Sequence, residues 1–218
     1  MKGVNFMKEF FGTLPSGETA SLYTISCGGI TAAISDYGAS LVRLLVPDQQ
    51  GTVADVVLGY DDCNGYRQGG ACLGATVGRS ANRLKDASFT LGDRVYHLTA
   101  NEGSNNLHSG PDAYYTRMWQ VHDHTENSIR LTLHSPDGDQ GYPGNAVIQV
   151  CYRLDTTGGL HITYDIRDLL NATIQLRDGK PLTDMNLGFK ERMVMKKVLA
   201  KIKGTDIEKL LKEYHVIG

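Results

Sequence analysis

The sequence predicts a mainly β protein: an antiparallel β-sandwich of about residues 1–167, followed by a helical hairpin in residues 168–218. Three observations carry this. Short apolar–polar alternations recur along the chain, glycine-bearing turns separate them, and the alternation gives way to a helical apolar period only after Arg167.

In chain order, "FTLGDRVYHL" reads as a hairpin, with Gly92-Asp93 as a two-residue connector between Phe89-Thr90-Leu91 and Arg94 to Leu98. "SIRLTLHS" puts Ile129, Leu131 and Leu133 in phase. In "AVIQVCYRLDTTGGLHITYDIR", Ala146, Ile148, Val150, Tyr152 and Leu154 share one face. Beyond the TTGG turn, Leu160, Ile162, Tyr164 and Ile166 alternate in the same way, so two half-buried antiparallel strands are expected. Many short, one-sided strands with glycine-rich turns favour two stacked antiparallel sheets over a βαβ fold, and no dinucleotide or phosphate-loop fingerprint is present.

After Arg167 the character changes. Residues 168–218 hold 10 Lys or Arg against 7 Asp or Glu, a net charge of +3, whereas residues 1–167 hold 12 against 17, a net charge of −5. "KERMVMKKVLAKIK" places Met195, Val198, Leu199 and Ile202 at helical spacing, and "IEKLLKEY" repeats the pattern with Ile207, Leu210, Leu211 and Tyr214. Gly204 stops the first helix, and Thr205 with Glu208 forms a capping box for the second.

Composition excludes several classes. Apolar residues at 41% and charged residues at 21% suit a packed globular core and argue against disorder or a membrane span. A net charge of −2, without a basic stripe interleaved with aromatics, argues against nucleic acid as a partner. The start "MKGVNFMKEFFG" breaks any apolar run with Asn5, Lys8 and Glu9, unlike a secretory leader, so a cytoplasmic location is expected. Cys27, Cys63, Cys72 and Cys151 form no C-x-x-C pair and have no metal-spaced histidines nearby; they read as free thiols, with no metal or other cofactor expected.

Three polar groups sit on glycine-flanked loops: "GRSANR", "NNLHSG" and "SPDGDQGYPG". A guanidinium can grip neighbouring hydroxyls or a carboxylate through its planar fork, and an amide offers a donor and an acceptor, so Asn82 and Arg83 suit a polyol. The imidazole of His108 can bind a hydroxyl or move a proton. Taken singly, Arg79 and Arg83 also read as surface charges, His108 as a loop-stabilising hydrogen bonder, Trp119 as core and "GYPG" as a turn. His97, His122, His124, His134, His161 and His215 fall on polar strand phases or a helix end and are not candidates.

Taken together, "FGTLPSGETASLYTIS", "ISDYGASLVRLLVPDQQGTVADVVLGYDD", "GATVGRSANRL", "YHLTANEGSNNLHSG", Trp119 and "SPDGDQGYPG" closely resemble, in order and spacing, the aldose 1-epimerase (galactose mutarotase) family over residues 10–167. The resemblance implies a large galactose mutarotase-type sandwich acting on a small-molecule aldose, which interconverts the α and β anomers of free aldohexoses without a cofactor. It implies that Asn82 and Arg83 bind sugar hydroxyls and that His108 lies beside the sugar near the reacting end, as a substrate-binding and catalytic group. Ring opening requires one group to take the proton from the anomeric hydroxyl and another to protonate the ring oxygen.

The likeness weakens beyond "LHITYDIR". The family's next segment, of the type "TNHxYFN" with its general-acid histidine, has no counterpart, and none of Glu191, Glu208 or Glu213 sits in the motif of the family's glutamate base. The sequence therefore leaves open an epimerase, a non-catalytic carbohydrate-binding sandwich, or a shortened chain that needs a partner. It also predicts self-association through exposed sheet edges.

Overall fold

A computed structural model describes residues 7–167; the helical hairpin and separate domain expected in 168–218 lie outside the described residues. β1 (Lys8–Thr13), β2 (Thr19–Cys27), β3 (Ile30–Ser35), β4 (Ser40–Pro47) and β5 (Val53–Asp55) form one antiparallel sheet in chain order. A short helix, α1 (Cys63–Gln68), follows, begun by Asp62, whose side chain accepts from the Gly65 N–H at 2.8 Å. Two small ribbons come next. β6 (Arg83–Leu84) pairs with β9 (Asn106–Leu107), and β7 (Ser88–Leu91) pairs with β8 (Arg94–His97) around the expected Gly92-Asp93 turn. The second large sheet is β10 (Gln120–His124), β11 (Ser128–Ser135), β12 (Ala146–Leu154) and β13 (Leu160–Arg167), again in chain order.

The alternation read from the sequence builds the interface between the two large sheets. Tyr23, Ile25, Ile34 and Leu41 from the first sheet share a core with Ile129, Leu131, Ile148, Val150 and Tyr152 from the second. Each such side chain contributes about 1.5–3 kcal/mol when fully buried. Tyr152 also ties the sheets by a polar bond, its hydroxyl donating to the Ala39 carbonyl at 2.8 Å, and burial pushes its phenol above the ordinary range. Trp119 is core, as expected, with its indole N–H satisfied by the Tyr114 carbonyl at 3.0 Å.

The first sheet is apolar on its other face too. Phe11, Leu22, Ala33 and Val42 there are covered by Cys63 and Tyr66 of α1. Gly12 permits this approach: a Cβ there would lie 2.8 Å from the Cys63 sulfur, at a φ of +126° that side chains rarely adopt.

One expectation fails. Ile162, Tyr164 and Ile166 stand opposite Tyr152, Val150 and Ile148 and so share their face, yet they are 43%, 49% and 46% exposed. The alternation set the correct face, but burial needs an opposing layer, and none of the described residues covers β13. A cavity of about 190 Å³, lined by Thr76, Tyr114, Ile148, Tyr164 and Ile166 among others, opens there. No helix among the described residues is long and apolar enough to cross a membrane.

Candidate active site

The "SANR" and "NNLH" loops, distant in sequence, meet because β6 and β9 pair antiparallel, with Arg83 opposite Leu107 and Leu84 opposite Asn106. At the end of this ribbon Asn82 and His108 bond twice. The His108 N–H donates to the Asn82 carbonyl at 3.1 Å, and the Asn82 N–H donates to His108 Nδ1 at 3.0 Å. Because Nδ1 is an acceptor, the neutral ring carries its proton on Nε2 and offers that N–H outward from the pair.

Both residues pay for this placement with left-handed backbones, φ +67° at Asn82 and +51° at His108, and Ser109 follows at +76°. The strain is held by neighbours. Ser109, 2% exposed, accepts from the Ser80 N–H at 2.7 Å and donates to the Ser80 carbonyl at 3.0 Å. Asn101 clamps Leu107 on both sides, its amide donating to the Leu107 carbonyl at 2.9 Å and accepting from the Leu107 N–H at 2.7 Å. Asn106 is fully buried and donates to the Thr99 carbonyl at 2.7 Å. The asparagines of "NEGSNN" thus serve largely to fold the loop that presents His108.

Asn82, Arg83 and His108 are therefore brought together. The Asn82 side-chain oxygen accepts from the Arg83 N–H at 2.9 Å and from Arg83 Nη1 at 3.4 Å. Sequence reasoning missed Glu102, which pairs with Arg83 through two bonds of 2.5 Å, from Nε and from Nη2. Those hydrogen bonds hold the Glu102 carboxyl below the usual carboxylate range, making it a poor proton acceptor. Its place in the glycine-flanked loop six residues before His108 was the available signal. Tyr115, also unanticipated, stands edge-on to His108 at 6.4 Å between ring centroids.

The third polar loop supports the site. Arg79 is an internal clamp rather than a surface charge: it donates to the carbonyls of Ser135, Pro136 and Pro143 at 3.0, 2.9 and 2.8 Å, and to the Ser135 hydroxyl. The "GYPG" stretch is more than a turn, since Tyr142 is 7% exposed and its hydroxyl bonds both Ser80 and Asn106. Beneath this loop, Arg117 pairs with Asp139 at 2.7 Å, with side chains 14% and 9% exposed, and Ser135 donates to the same carboxylate. Burial pushes the Asp139 carboxyl up, but the bonds from Arg117 and Ser135 prevail and hold it below its ordinary range. Among the described residues no cluster of three His, Cys, Asp or Glu could hold a metal ion.

The architecture is that of the mutarotase-type sandwich. The crystal structure of a GalM/aldose epimerase homologue from C. elegans matches with a TM-score of 0.65 at 33% identity, over 68% of this chain and 46% of that one. Galactose mutarotase of Mus musculus is 32% identical over 99% of this chain and 70% of its own length. Aldose 1-epimerase of Escherichia coli (strain K12) is 34% identical over 69% of this chain and 44% of its own length. A family model described as aldose 1-epimerase matches residues 21–176, and the chain belongs to the aldose 1-epimerase family. It spans less than half the length of the bacterial and nematode relatives. The family match runs past Arg167 to residue 176, and the mouse match takes in nearly the whole chain, so the likeness reaches into the segment that motifs alone set apart.

The lowered Asp139 carboxyl has a measurable consequence. A carboxyl depressed in the folded state contributes stability above its unfolded pKa and loses it as pH falls through the folded value. In urea unfolding, Asp139→Asn is expected to be less stable than wild type at pH 7, with the gap narrowing once pH drops below about 4. A gap that stays constant down to pH 2 would show that Asp139 is not charged in its pair with Arg117.

Proposed function

We propose that this chain carries the sugar-holding side of an aldose 1-epimerase site, in which free aldohexoses such as glucose and galactose exchange α and β anomers by acid–base ring opening. The observation that carries the reading is the convergence of Asn82, Arg83 and His108 on one ribbon. In it, Arg83 and Asn82 bind sugar hydroxyls, and His108 meets the sugar near its reacting carbon through the Nε2 proton.

Ring opening needs an acid and a base on opposite sides of the sugar. His108 with a protonated Nε2 serves as a donor, and Glu102, tied to Arg83, is not the base. These two facts favour a second reading for the 218-residue chain by itself, a carbohydrate-binding sandwich without turnover. General acid and base groups contribute about 10² to 10⁴ in rate each, so a ribbon that offers a donor in His108 but no base leaves little above the buffer rate.

We also read β13 as a self-association surface. Its outer edge is unpaired among the described residues, and an antiparallel edge meeting its own copy across a two-fold axis repeats each contact. A cytoplasmic location is supported by four cysteines that form no disulfide; a disulfide in protein isolated from its source would contradict it.

Three measurements test these readings. Titration with D-galactose or D-glucose is expected to shift the NMR signals of His108 Nε2 and Arg83 Nε, while polarimetry of fresh α-D-galactose stays at the buffer rate. Unshifted signals would remove the sugar site, and mutarotation well above buffer would restore catalysis to this chain. Light scattering is expected to give a dimer that Tyr164→Lys converts to monomer; a monomeric wild type would exclude association through β13.

A further inference from the structure

Glu102 lies within the site yet has neither the basicity nor the availability of a general base, because Arg83 holds its carboxylate, and its geometry carries its role. It engages Arg83 along one edge of the guanidinium, through Nε and Nη2 at 2.5 Å each, and Nη1 approaches the Asn82 side-chain oxygen at 3.4 Å. An arginine carries five N–H donors in a planar fork. With the Nε edge occupied, the outer edge keeps one hydrogen on each terminal nitrogen, a parallel pair spaced for two neighbouring hydroxyl oxygens.

The carboxylate is itself placed by the main chain. Glu102 and Asn105 exchange backbone bonds of 3.2 and 2.9 Å across a tight turn in which Gly103 takes a φ of +58°. The Asn105 side chain is tied in turn to the Asp86 N–H at 3.2 Å. The arginine, in contrast, extends from a two-residue strand with its side chain 55% exposed.

We propose that Glu102 is a positioning residue for sugar binding: it holds the Arg83 guanidinium in the orientation that presents its outer edge to two adjacent hydroxyls of an aldose. This rests on the reading of Asn82, Arg83 and His108 as an aldose site. The pair is exposed, and exposed ion pairs add little to folding stability. Its function is to order a mobile cation before the ligand arrives, which lowers the entropic cost of binding.

The test uses the full chain as wild type, Glu102→Gln and Glu102→Asp, with galactose affinity from NMR titration, thermal unfolding, and the Arg83 Nε–H signal without sugar. Glu102→Gln is expected to weaken galactose binding about tenfold with an unchanged melting temperature, while the Arg83 Nε–H signal broadens towards that of a solvent-averaged side chain. Glu102→Asp keeps the charge on a shorter stem, and is expected to bind galactose no better than Glu102→Gln, which separates position from charge. Wild-type affinity in Glu102→Gln overturns the proposal, as does weakened binding accompanied by a lowered melting temperature, the mark of a purely structural role. Tighter binding in Glu102→Gln also overturns it, showing that the carboxylate competes with the sugar for Arg83. A wild type that binds no aldose fails at the earlier step, refuting the site reading and with it this role.

Discussion

The candidate site depends on one reciprocal contact, the pair of bonds between Asn82 and His108 at the end of the β6–β9 ribbon. A main-chain N–H donating to Nδ1 fixes both the orientation of the imidazole and the nitrogen that carries its proton. A side-chain partner would leave torsions free; a backbone donor does not. The contact requires left-handed backbone at both residues, a conformation costing on the order of 1–3 kcal/mol at each. It persists because the surroundings over-determine it: Ser109 is locked onto Ser80, Asn101 brackets Leu107, and Tyr142 bonds Ser80 and Asn106 from below.

The sandwich supplies the rigidity on which this arrangement draws. Two sheets packed through Ile25, Ile34, Leu131, Val150 and their neighbours form a close-packed frame. Arg79 and Arg117 then tie the site loops to the end of β11 and to the loop after it, with guanidinium bonds to carbonyls and to the Asp139 carboxylate. Such bonds contribute about 1.5–3 kcal/mol each when one partner is charged. Binding chemistry on loops braced by a rigid scaffold is the usual division of labour in such folds.

The parts legible in the sequence are those with a local signature. The period of two along Ala146 to Leu154 and Ile129 to Leu133 encodes a face, and those faces are buried. The hairpin around Gly92-Asp93 is encoded by turn chemistry alone. Asn82, Arg83 and His108 stood out through residue type and motif order. Burial of β13 was not legible, because alternation specifies which way Ile162, Tyr164 and Ile166 point but not whether a layer lies opposite. Nor were the roles of Arg79, Tyr142 and Glu102. Each is defined by a partner 19 to 64 residues away, and the relevant distances exist only after the ribbon and sheets have formed.

In the proposed site, Asn82, Arg83 and His108 form one surface that holds an aldose, with His108 acting through Nε2. A crystal structure of the chain grown with D-galactose tests it most directly. The sugar is expected on the β6–β9 ribbon, with hydroxyls within about 3.2 Å of the Arg83 outer edge and of His108 Nε2. A sugar bound elsewhere, or one that meets His108 only after the ring has turned to free Nδ1 from Asn82, would contradict it.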